Sequence, residues 1–223
     1  MSDEPTMLLE VIIIDDHRMF AESLARLLAD EPDISVVGVA SSGAEGLRLA
    51  AELCPAVALV DFRMPDLDGL AITAELKRLD PSMMVVMLSA SASDSVLLAA
   101  IDAGCSGFVT KDRAASAIIE AVRAAAAGDA VISPALLARL LPQLNRSSGI
   151  VVGRDLTERD REILVRLARG ASNKVIADDL YLSVNTVRNY VQSVLHKLGA
   201  HSKLEAVATA VREGMIDYPA SRG

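Results

Sequence analysis

The stretch LEVIIIDD at residues 9–16 joins a short, β-branched apolar run to two adjacent carboxylates. An apolar run of this length, bounded by acidic residues, predicts a buried strand. Four similar runs follow, separated by segments with helical apolar spacing, such as Ala44, Leu47, Leu49 and Leu53. The predicted strands cover residues 9–14, 35–40, 57–60, 83–88 and 107–109. Their alternation with helices predicts an α/β fold with a doubly wound, five-stranded parallel sheet that is covered on both faces.

Polar residues gather where these strands end. Asp15 and Asp16 follow the first strand, Asp61 the third, Ser89 the fourth and Lys111 the fifth. The carboxyl ends of parallel strands lie at one edge of the sheet, which is where open α/β sheets bind their ligands. We therefore expect these five side chains to form one site.

The residue types at this edge suit phosphoryl chemistry. Three neighbouring carboxylates repel one another unless a cation or shared protons join them, and hard oxygen ligands suit Mg²⁺. A carboxylate can attack phosphorus, and the sequence predicts Asp61 in that role, with Asp15 and Asp16 helping to hold the metal. Lys111 would pair with the phosphoryl group, and Ser89 would donate a hydrogen bond to it. The alternative, that the aspartates only cap a helix and the lysine is a surface charge, does not explain the whole set at one edge.

The motifs at the strand ends resemble those of bacterial response regulator receiver domains, over about residues 8–128. They are IDDH at 14–17, VDFRMP at 60–65, DG at 68–69, LSA at 88–90 and FVTKD at 108–112. The resemblance implies a flavodoxin-like receiver in which Asp61 accepts phosphate from a sensor histidine kinase. It also implies that Asp16, Asp61 and the Met64 carbonyl bind Mg²⁺, and that Asp15 reaches the ion through water.

The same resemblance implies a switch. Ser89 would move towards the new phosphate, and Phe108 would rotate into the space that it leaves. The other interpretation of Phe108 is a core aromatic at a strand end. His17, which follows the acidic pair, is interpreted as a polar residue of the first helical turn rather than as a catalytic one.

The pattern changes after the fifth helix. Residues 129–153 predict a linker that contains one helix at 134–144, where four leucines share a face, followed by a Ser- and Gly-rich flexible stretch at 145–153. Residues 154–216 carry only helical patterns. They predict four short helices at 158–168, 173–180, 184–198 and 203–213, each preceded by a Ser or Thr that can cap it. Four helices joined by tight turns predict a compact all-α domain.

The segment 184–198 has two distinct faces. We expect one face to be buried, and it comprises Val184, Val187, Val191, Val194, Leu195 and Leu198. The opposite face presents hydrogen-bonding side chains, namely Asn185, Arg188, Asn189, Gln192 and His196. Arg can pair with guanine, and Asn or Gln with adenine, in the major groove. A solvated face would normally carry several Glu and Lys, so this pattern favours a DNA-reading helix in a helix-turn-helix.

Four motifs in this region resemble the NarL/FixJ (LuxR-type) helix-turn-helix domain. They are LTERD at 156–160, GASNK at 170–174, LSVNTVR at 182–188 and KLGA at 197–200. The resemblance implies base-edge contacts from Arg188, Asn189 and Gln192. It implies phosphate contacts or a register-fixing role for a second set, Asn173, Lys174, Thr186, Tyr190 and Lys197. Many relatives have His in place of Tyr190 and a basic residue in place of Gln192, which leaves the operator sequence open.

Charge and composition agree with two roles. The 223 residues carry a net charge of −8, but from Arg154 onward 11 basic residues stand against 9 acidic ones. Nucleic acid is the natural partner of the more basic part. The two cysteines, Cys54 and Cys105, have no paired motif and suit a reducing compartment. The sequence has neither the basic start of a signal peptide nor an apolar run near ~20 residues, so we expect a cytoplasmic protein without a membrane partner.

Together these features predict a DNA-binding response regulator of a two-component system. Phosphorylation of Asp61 would control dimerisation and promoter binding, and the chain would not be an enzyme beyond autophosphorylation and slow self-dephosphorylation. A Mg²⁺ phosphohydrolase is a second hypothesis, but residues 62–64 supply no acid–base carboxylate beside Asp61. An adaptor that acts only through protein partners is a third, and the polar face of residues 184–198 argues against it.

The predicted partners are a cognate sensor kinase, double-stranded promoter DNA and a second copy of the chain, with RNA polymerase as a further candidate. The last helix carries small residues that could pack against that second copy or within the monomer. Two routes of control are left open. The acidic receiver could cover the recognition helix until it is phosphorylated, or phosphorylation could act only by driving dimerisation.

Overall fold

Five parallel strands form a single sheet in the N-terminal half of the computed structural model, which describes residues 8–90, 93–144 and 156–216. The strands are β1 (Leu9–Ile14), β2 (Ile34–Ala40), β3 (Val57–Asp61), β4 (Met84–Ser89) and β5 (Gly107–Thr110). Their order across the sheet is β2-β1-β3-β4-β5, with every pairing parallel. This is the flavodoxin-like order, and the predicted α/β fold is confirmed.

Helices cover both faces of the sheet. They are α1 (Arg18–Ala29), α2 (Gly43–Leu53), α3 (Gly69–Leu79), α4 (Asp94–Asp102) and α5 (Ala115–Ala126). Successive side chains of β1 point to opposite faces. Val11 and Ile13 pack with residues of α1 and α5, whereas Ile12 and Ile14 pack with residues of α2 and α3. Burial on both faces explains why β1 is a continuous apolar run rather than an alternating one.

Small residues form the centre of the buried face of α2. Ala44 and Leu53 are exposed, and the fully buried positions are Gly43, Gly46 and Ala50. A Cβ placed on Gly46 would lie 2.5 Å from the Cδ1 of Ile14. The helix therefore approaches β1 too closely for a side chain at this position, and glycine is required there.

The C-terminal half is helical, as predicted. It follows α6 (Pro134–Leu140) and a 3₁₀ turn (Leu141–Gln143), and it comprises α7 (Glu158–Ala168), α8 (Asn173–Leu180), α9 (Val184–Leu198) and α10 (Lys203–Arg212). Thr157 and Asp160 form a reciprocal capping box at the start of α7. Such local caps explain why the limits of α7, α8 and α9 coincide with those predicted. The predicted flexible stretch at 145–153 lies outside the described residues.

The two halves pack against each other through one apolar cluster. This interdomain cluster includes Leu97 and Ile101 of α4, Leu137 of α6, and Leu204 and Ala206 of α10. Helix α10 lies directly against α4. An ion pair of 2.6 Å between Arg212 and Asp102 closes the edge of this contact. The small residues of α10 are thus covered within the monomer. Among the described residues, no helix has the length and apolar character needed to cross a bilayer.

Candidate functional site

Two buried carboxylates and one lysine meet at the carboxyl edge of the sheet. Asp15 follows β1, Asp61 is the last residue of β3, and Lys111 follows β5. The Nζ of Lys111 lies 2.7 Å from the Oδ2 of Asp15 and 2.9 Å from the Oδ2 of Asp61. Asp15 is 0% and Asp61 3% exposed. One ammonium group thus bridges two carboxylates that have almost no access to water.

The environment of Asp61 disfavours its charge. Burial raises the pKa of the Asp61 carboxyl above its usual value, while the ammonium group of Lys111 acts in the opposite direction and the charge of Asp15 adds to the rise. Because the net pKa shift is upward, the contact with Lys111 does not offset the cost of burying the ionised carboxylate. A further cation at this edge would stabilise the ionised form.

Asp16 and His17 complete the cluster. The Nδ1 of His17 lies 3.0 Å from the Oδ1 of Asp16, 3.3 Å from the Oδ1 of Asp15 and 3.6 Å from the Oδ2 of Asp61. The backbone N–H of His17 also donates to the Oδ1 of Asp15 at 2.9 Å. His17 was predicted to be only a polar residue of the first helical turn, with no part in the site. Its position next to the acidic pair is the signal that could have suggested one.

The donor set fits a divalent cation. Asp15, Asp16, His17 and Asp61 each offer one ligand atom, and these atoms lie within 4.8 Å of one another. The Oδ1 of Asp16 is buried and accepts no hydrogen bond from the described residues. Met64 lies in the loop between β3 and α3, and its side chain packs against the cluster beneath α2 and α3. The role of its carbonyl as a metal ligand stays a prediction.

A cleft of about 440 Å³ opens beside these groups. Its lining comprises His17, Phe20, Asp61, Arg63, Ser89, Ala90 and Lys111. Ser89 is buried at the end of β4. The structure therefore brings all the predicted polar residues of this edge together. Phe108 lies apart from the cleft lining and belongs to the interdomain cluster, where it is a core aromatic in this conformation.

The recognition face of α9 is largely as predicted. Val187, Val191, Val194 and Leu198 are buried, and the polar residues of the opposite face are exposed: Asn185, Arg188, Asn189, Gln192 and His196. Two members of the predicted apolar face differ. Val184, the first residue of the helix, is 37% exposed, and Leu195 is only partly buried because it lines a groove between the halves.

This groove places the receiver opposite the recognition helix. Its volume is about 250 Å³, and one wall carries Arg188 and Gln192 of α9. Residues 126–130, which end or follow α5, line the same groove. The end of α5 therefore lies close to two side chains predicted to read bases.

A buried polar cluster joins the halves beside this groove. The backbone N–H of Asn173 donates to the Oδ1 of Asp129 at 2.8 Å, and its Nδ2 donates to the Ala127 carbonyl at 3.2 Å. Lys203 donates to the same Asp129 oxygen at 2.9 Å and to the Oδ1 of Asn173 at 2.7 Å. Burial lowers the pKa of Lys203. This cluster was not predicted from the sequence, since Asn173 was expected to contact DNA and Lys203 had no assigned role.

The other predicted phosphate contacts differ in exposure and in the residues that they contact. Lys174 is exposed, and Tyr190 is partly buried. Thr186 shares a hydrogen bond of 2.7 Å with the hydroxyl of Ser183, the N-cap residue of α9. Lys197 pairs with the buried Asp160 at 2.6 Å. That pair ties the end of α9 to the capping box of α7.

Comparison with known families matches both halves of the chain. Residues 11–123 match the response regulator receiver domain, and residues 154–210 match the luxR family of bacterial regulatory proteins. The chain is 35% identical over 217 residues to the probable transcriptional regulatory protein NarL of Mycobacterium tuberculosis, which covers 97% of this chain and 100% of that protein. It is 33% identical over 211 residues to the transcriptional regulatory protein LiaR of Bacillus subtilis, covering 94% of this chain and 100% of that protein.

Solved structures agree with this assignment of the halves. The signal receiver domain of NarL from Mycobacterium tuberculosis matches 55% of this chain and 98% of its own, with 34% identity and a TM-score of 0.53. A structure of two RcsB dimers bound to two parallel DNAs matches 92% of this chain and 98% of its own, with 25% identity and a TM-score of 0.55. The second match spans both halves.

Proposed function

The chain belongs to the response regulators that join a receiver domain to a LuxR-type DNA-binding domain, and on that premise we propose that phosphorylation of Asp61 controls when α9 reads DNA. The observation that carries the proposal is the contact of Lys111 with both Asp15 and Asp61 beside an open cleft. A nucleophilic carboxylate, its cationic partner and room for a phosphoryl group occur together there. We keep the predicted division into a receiver at 8–128, a linker at 129–153 and a DNA-binding domain at 154–216.

The phosphoryl group would come from a phosphohistidine of a sensor kinase. A carboxylate oxygen of Asp61 forms the new bond to phosphorus, and the bond from phosphorus to the imidazole nitrogen breaks with its electron pair left on the donor. The ammonium group of Lys111 would stabilise the negative charge that develops on the phosphoryl oxygens. A bound Mg²⁺ would neutralise those oxygens. Its ligands would be Asp16, Asp61 and the carbonyl of Met64, with Asp15 reaching it through water.

The new charge has a short route to the DNA-binding half. A phosphoryl group of about −2 charge offers three strong acceptors. Ser89 lines the cleft and would donate to one of them. Ser89 ends β4, and α4 is the next element, packed on α10. Movement of Ser89 and Phe108 would therefore disturb a helix that holds the two halves together.

Of the two routes of control, the packed arrangement favours a closed resting form. The major groove is about 12 Å wide and must receive the recognition helix, and residues 126–130 line the same groove as Arg188 and Gln192. A duplex that binds this face of α9 would therefore meet the end of α5. Release of α10 from α4 would also free its small residues for a second copy, so that a homodimer could bind a two-fold operator.

DNA recognition would then follow the predicted division of contacts. Arg188, Asn189 and Gln192 read base edges, and Asn185 lies on the same exposed face. Phosphate contacts would come from a second set, Asn173, Lys174, Thr186, Tyr190 and Lys197. Asn173 can join that set only after it leaves Asp129. RNA polymerase would meet the DNA-bound dimer, and all these partners place the protein in the cytoplasm.

The test compares the wild type with Asp61→Asn and with Asp112→Asn, an exposed carboxyl near the same edge. Each protein is treated with acetyl phosphate and Mg²⁺, assayed for acid-labile phosphate, and used to select fragments from genomic DNA. We expect the wild type and Asp112→Asn to incorporate phosphate and to enrich particular fragments. Asp61→Asn should do neither. Incorporation that persists in Asp61→Asn would reject Asp61 as the acceptor, and equal enrichment without acetyl phosphate would reject control by phosphorylation.

A further inference from the structure

We propose that His17 is a direct ligand of the divalent cation at this edge, so that the site binds Mn²⁺ and Co²⁺ through a nitrogen as well as through carboxylates. The inference rests on the proposed function in one respect only, since it takes the acidic edge to be the metal site. It goes beyond that function by adding an imidazole to an oxygen-donor site. The consequence is a metal preference different from that of a site built only from oxygen.

The spacing of the donor atoms matches a shared ion. Two neighbouring ligands of an octahedral ion with bonds of about 2.1 Å stand about 3.0 Å apart. The Nδ1 of His17 lies 3.0 Å from the Oδ1 of Asp16 and 3.3 Å from the Oδ1 of Asp15. Its distance of 3.6 Å from the Oδ2 of Asp61 is still short enough for ligands on one ion. Three carboxylates and one imidazole therefore face a single small volume.

The contact between Asp16 and His17 is close, yet the Oδ1 of Asp16 has no hydrogen-bond partner. A buried carboxylate oxygen without a donor is costly. The Nδ1 of His17, 3.0 Å away, makes no hydrogen bond to this oxygen and can offer its lone pair when the ring carries its proton on Nε2. A cation between them would satisfy both atoms at once.

The backbone holds His17 in this position. His17 is the N-cap residue of α1, and its N–H donates to the Oδ1 of Asp15 at 2.9 Å. The ring stays 67% exposed at the mouth of the cleft, so an ion arriving from solvent reaches it without displacing packed side chains. Local structure thus places the ring beside the carboxylates whether or not an ion is bound.

The ligand type predicts the metal preference. Mg²⁺ demands oxygen ligands and retains several waters, whereas imidazole suits the first-row transition metals, whose affinities rise from Mn²⁺ to Co²⁺ and beyond. Removal of the ring should therefore weaken Mn²⁺ and Co²⁺ binding much more than Mg²⁺ binding. We expect a loss of about tenfold or more for Co²⁺, comparable to the losses caused by altered metal-site partners.

The direct test is electron spin-echo envelope modulation on the full-length protein loaded with Mn²⁺. The wild type should show ¹⁴N modulation from a coordinated imidazole, and His17→Ala should lose it. His196→Ala removes an exposed histidine of α9 and should retain it. Calorimetric titrations with Co²⁺ and Mg²⁺, on variants whose circular dichroism matches the wild type, give the affinities.

The outcomes separate this inference from the proposed function. A carboxylate-bound Mn²⁺ signal without ¹⁴N modulation in the wild type would overturn the role of His17 while leaving the phosphoryl site intact. Equal loss of Co²⁺ and Mg²⁺ affinity in His17→Ala would also overturn it. Mn²⁺ binding that is unchanged in Asp61→Asn would instead show that the ion lies elsewhere, which would count against both.

Discussion

The ammonium group of Lys203, the first residue of α10, lies 2.9 Å from the carboxylate of Asp129, which follows α5. The lysine is 7% exposed, so this ion pair between the two halves is largely removed from water. Asn173 of α8 bonds to both partners. Removing one member of a buried pair leaves an uncompensated charge. The contact therefore makes the packed form depend on Asp129.

Loss of the Asp129 charge should favour separation of the halves. In Asp129→Asn the buried Lys203 loses its counter-charge, at a cost of about 3–5 kcal/mol for a buried pair, and separation lets the lysine regain water. We expect a larger radius of gyration by small-angle X-ray scattering and DNA binding without acetyl phosphate. Lys203→Met removes the buried charge and keeps the apolar volume. Its radius of gyration should therefore increase less than that of Asp129→Asn. If Asp129→Asn kept the wild-type radius, the pair would not restrain the domains.

Replacement of Asp61 should stabilise the metal-free protein. The raised pKa of Asp61 means that the native state disfavours the ionised carboxylate. Stability from this group is therefore present at low pH and is lost as the pH rises through the native pKa. In EDTA at pH 7, Asp61→Asn should raise the melting temperature, by about 2–4 °C for each kcal/mol gained. The gain should shrink as the pH is lowered through the native pKa of Asp61. A lower melting temperature at pH 7 would contradict this account of the site.

Lys77 of α3 should make stability rise with pH under alkaline conditions. Burial lowers the pKa of Lys77 to about 8, while its ammonium group donates to the carbonyls of Pro81 and Met83. Between about pH 8 and the usual lysine pKa, the unfolded chain binds more protons than the native one, so the free energy of unfolding increases with pH. The difference in melting temperature between the wild type and Lys77→Met should increase in favour of the wild type across this pH range. A flat difference would show that Lys77 keeps an ordinary pKa.

Arg188 and Lys174 should affect DNA binding in different ways. Arg188→Ala should cost about 1–3 kcal/mol on the selected sequence and little on random DNA, because a guanine contact is lost. Lys174→Ala should weaken binding to all sequences alike and reduce the salt dependence by about one released counterion. Fluorescence anisotropy on both DNAs, at several salt concentrations, measures both effects. Equal losses on the two DNAs for Arg188→Ala would make it a phosphate contact.

Much of the molecule was predictable because its signals are local. The alternation of apolar runs predicted the parallel sheet, and the placement of Asp15, Asp61 and Lys111 after strands predicted that they would meet. The predicted identity as a two-component transcriptional response regulator is confirmed by the family matches and by relatives along nearly the whole chain. Caps such as Thr157 and Asp160 set helix limits through bonds between residues three apart.

Other features depended on which surfaces meet. The apolar spacing of α2 predicted a helix, but it did not show that Gly46 would pack directly on Ile14 of β1. His17 adjoins Asp15 and Asp16 in the sequence, but it lies 3.6 Å from Asp61 only because β1 and β3 end side by side.

The sequence alone determined the two folds, the acidic edge of the sheet and the polar face of α9, since strand runs, caps and helical faces are written in neighbouring residues. Only the tertiary structure decided that α10 packs on α4, that Asn173 bonds to the receiver and that Lys203 pairs with Asp129. Asn173 lies 44 positions and Lys203 74 positions from Asp129 in the sequence. Periodicity records which side chains avoid water, but it does not record which distant surface covers them.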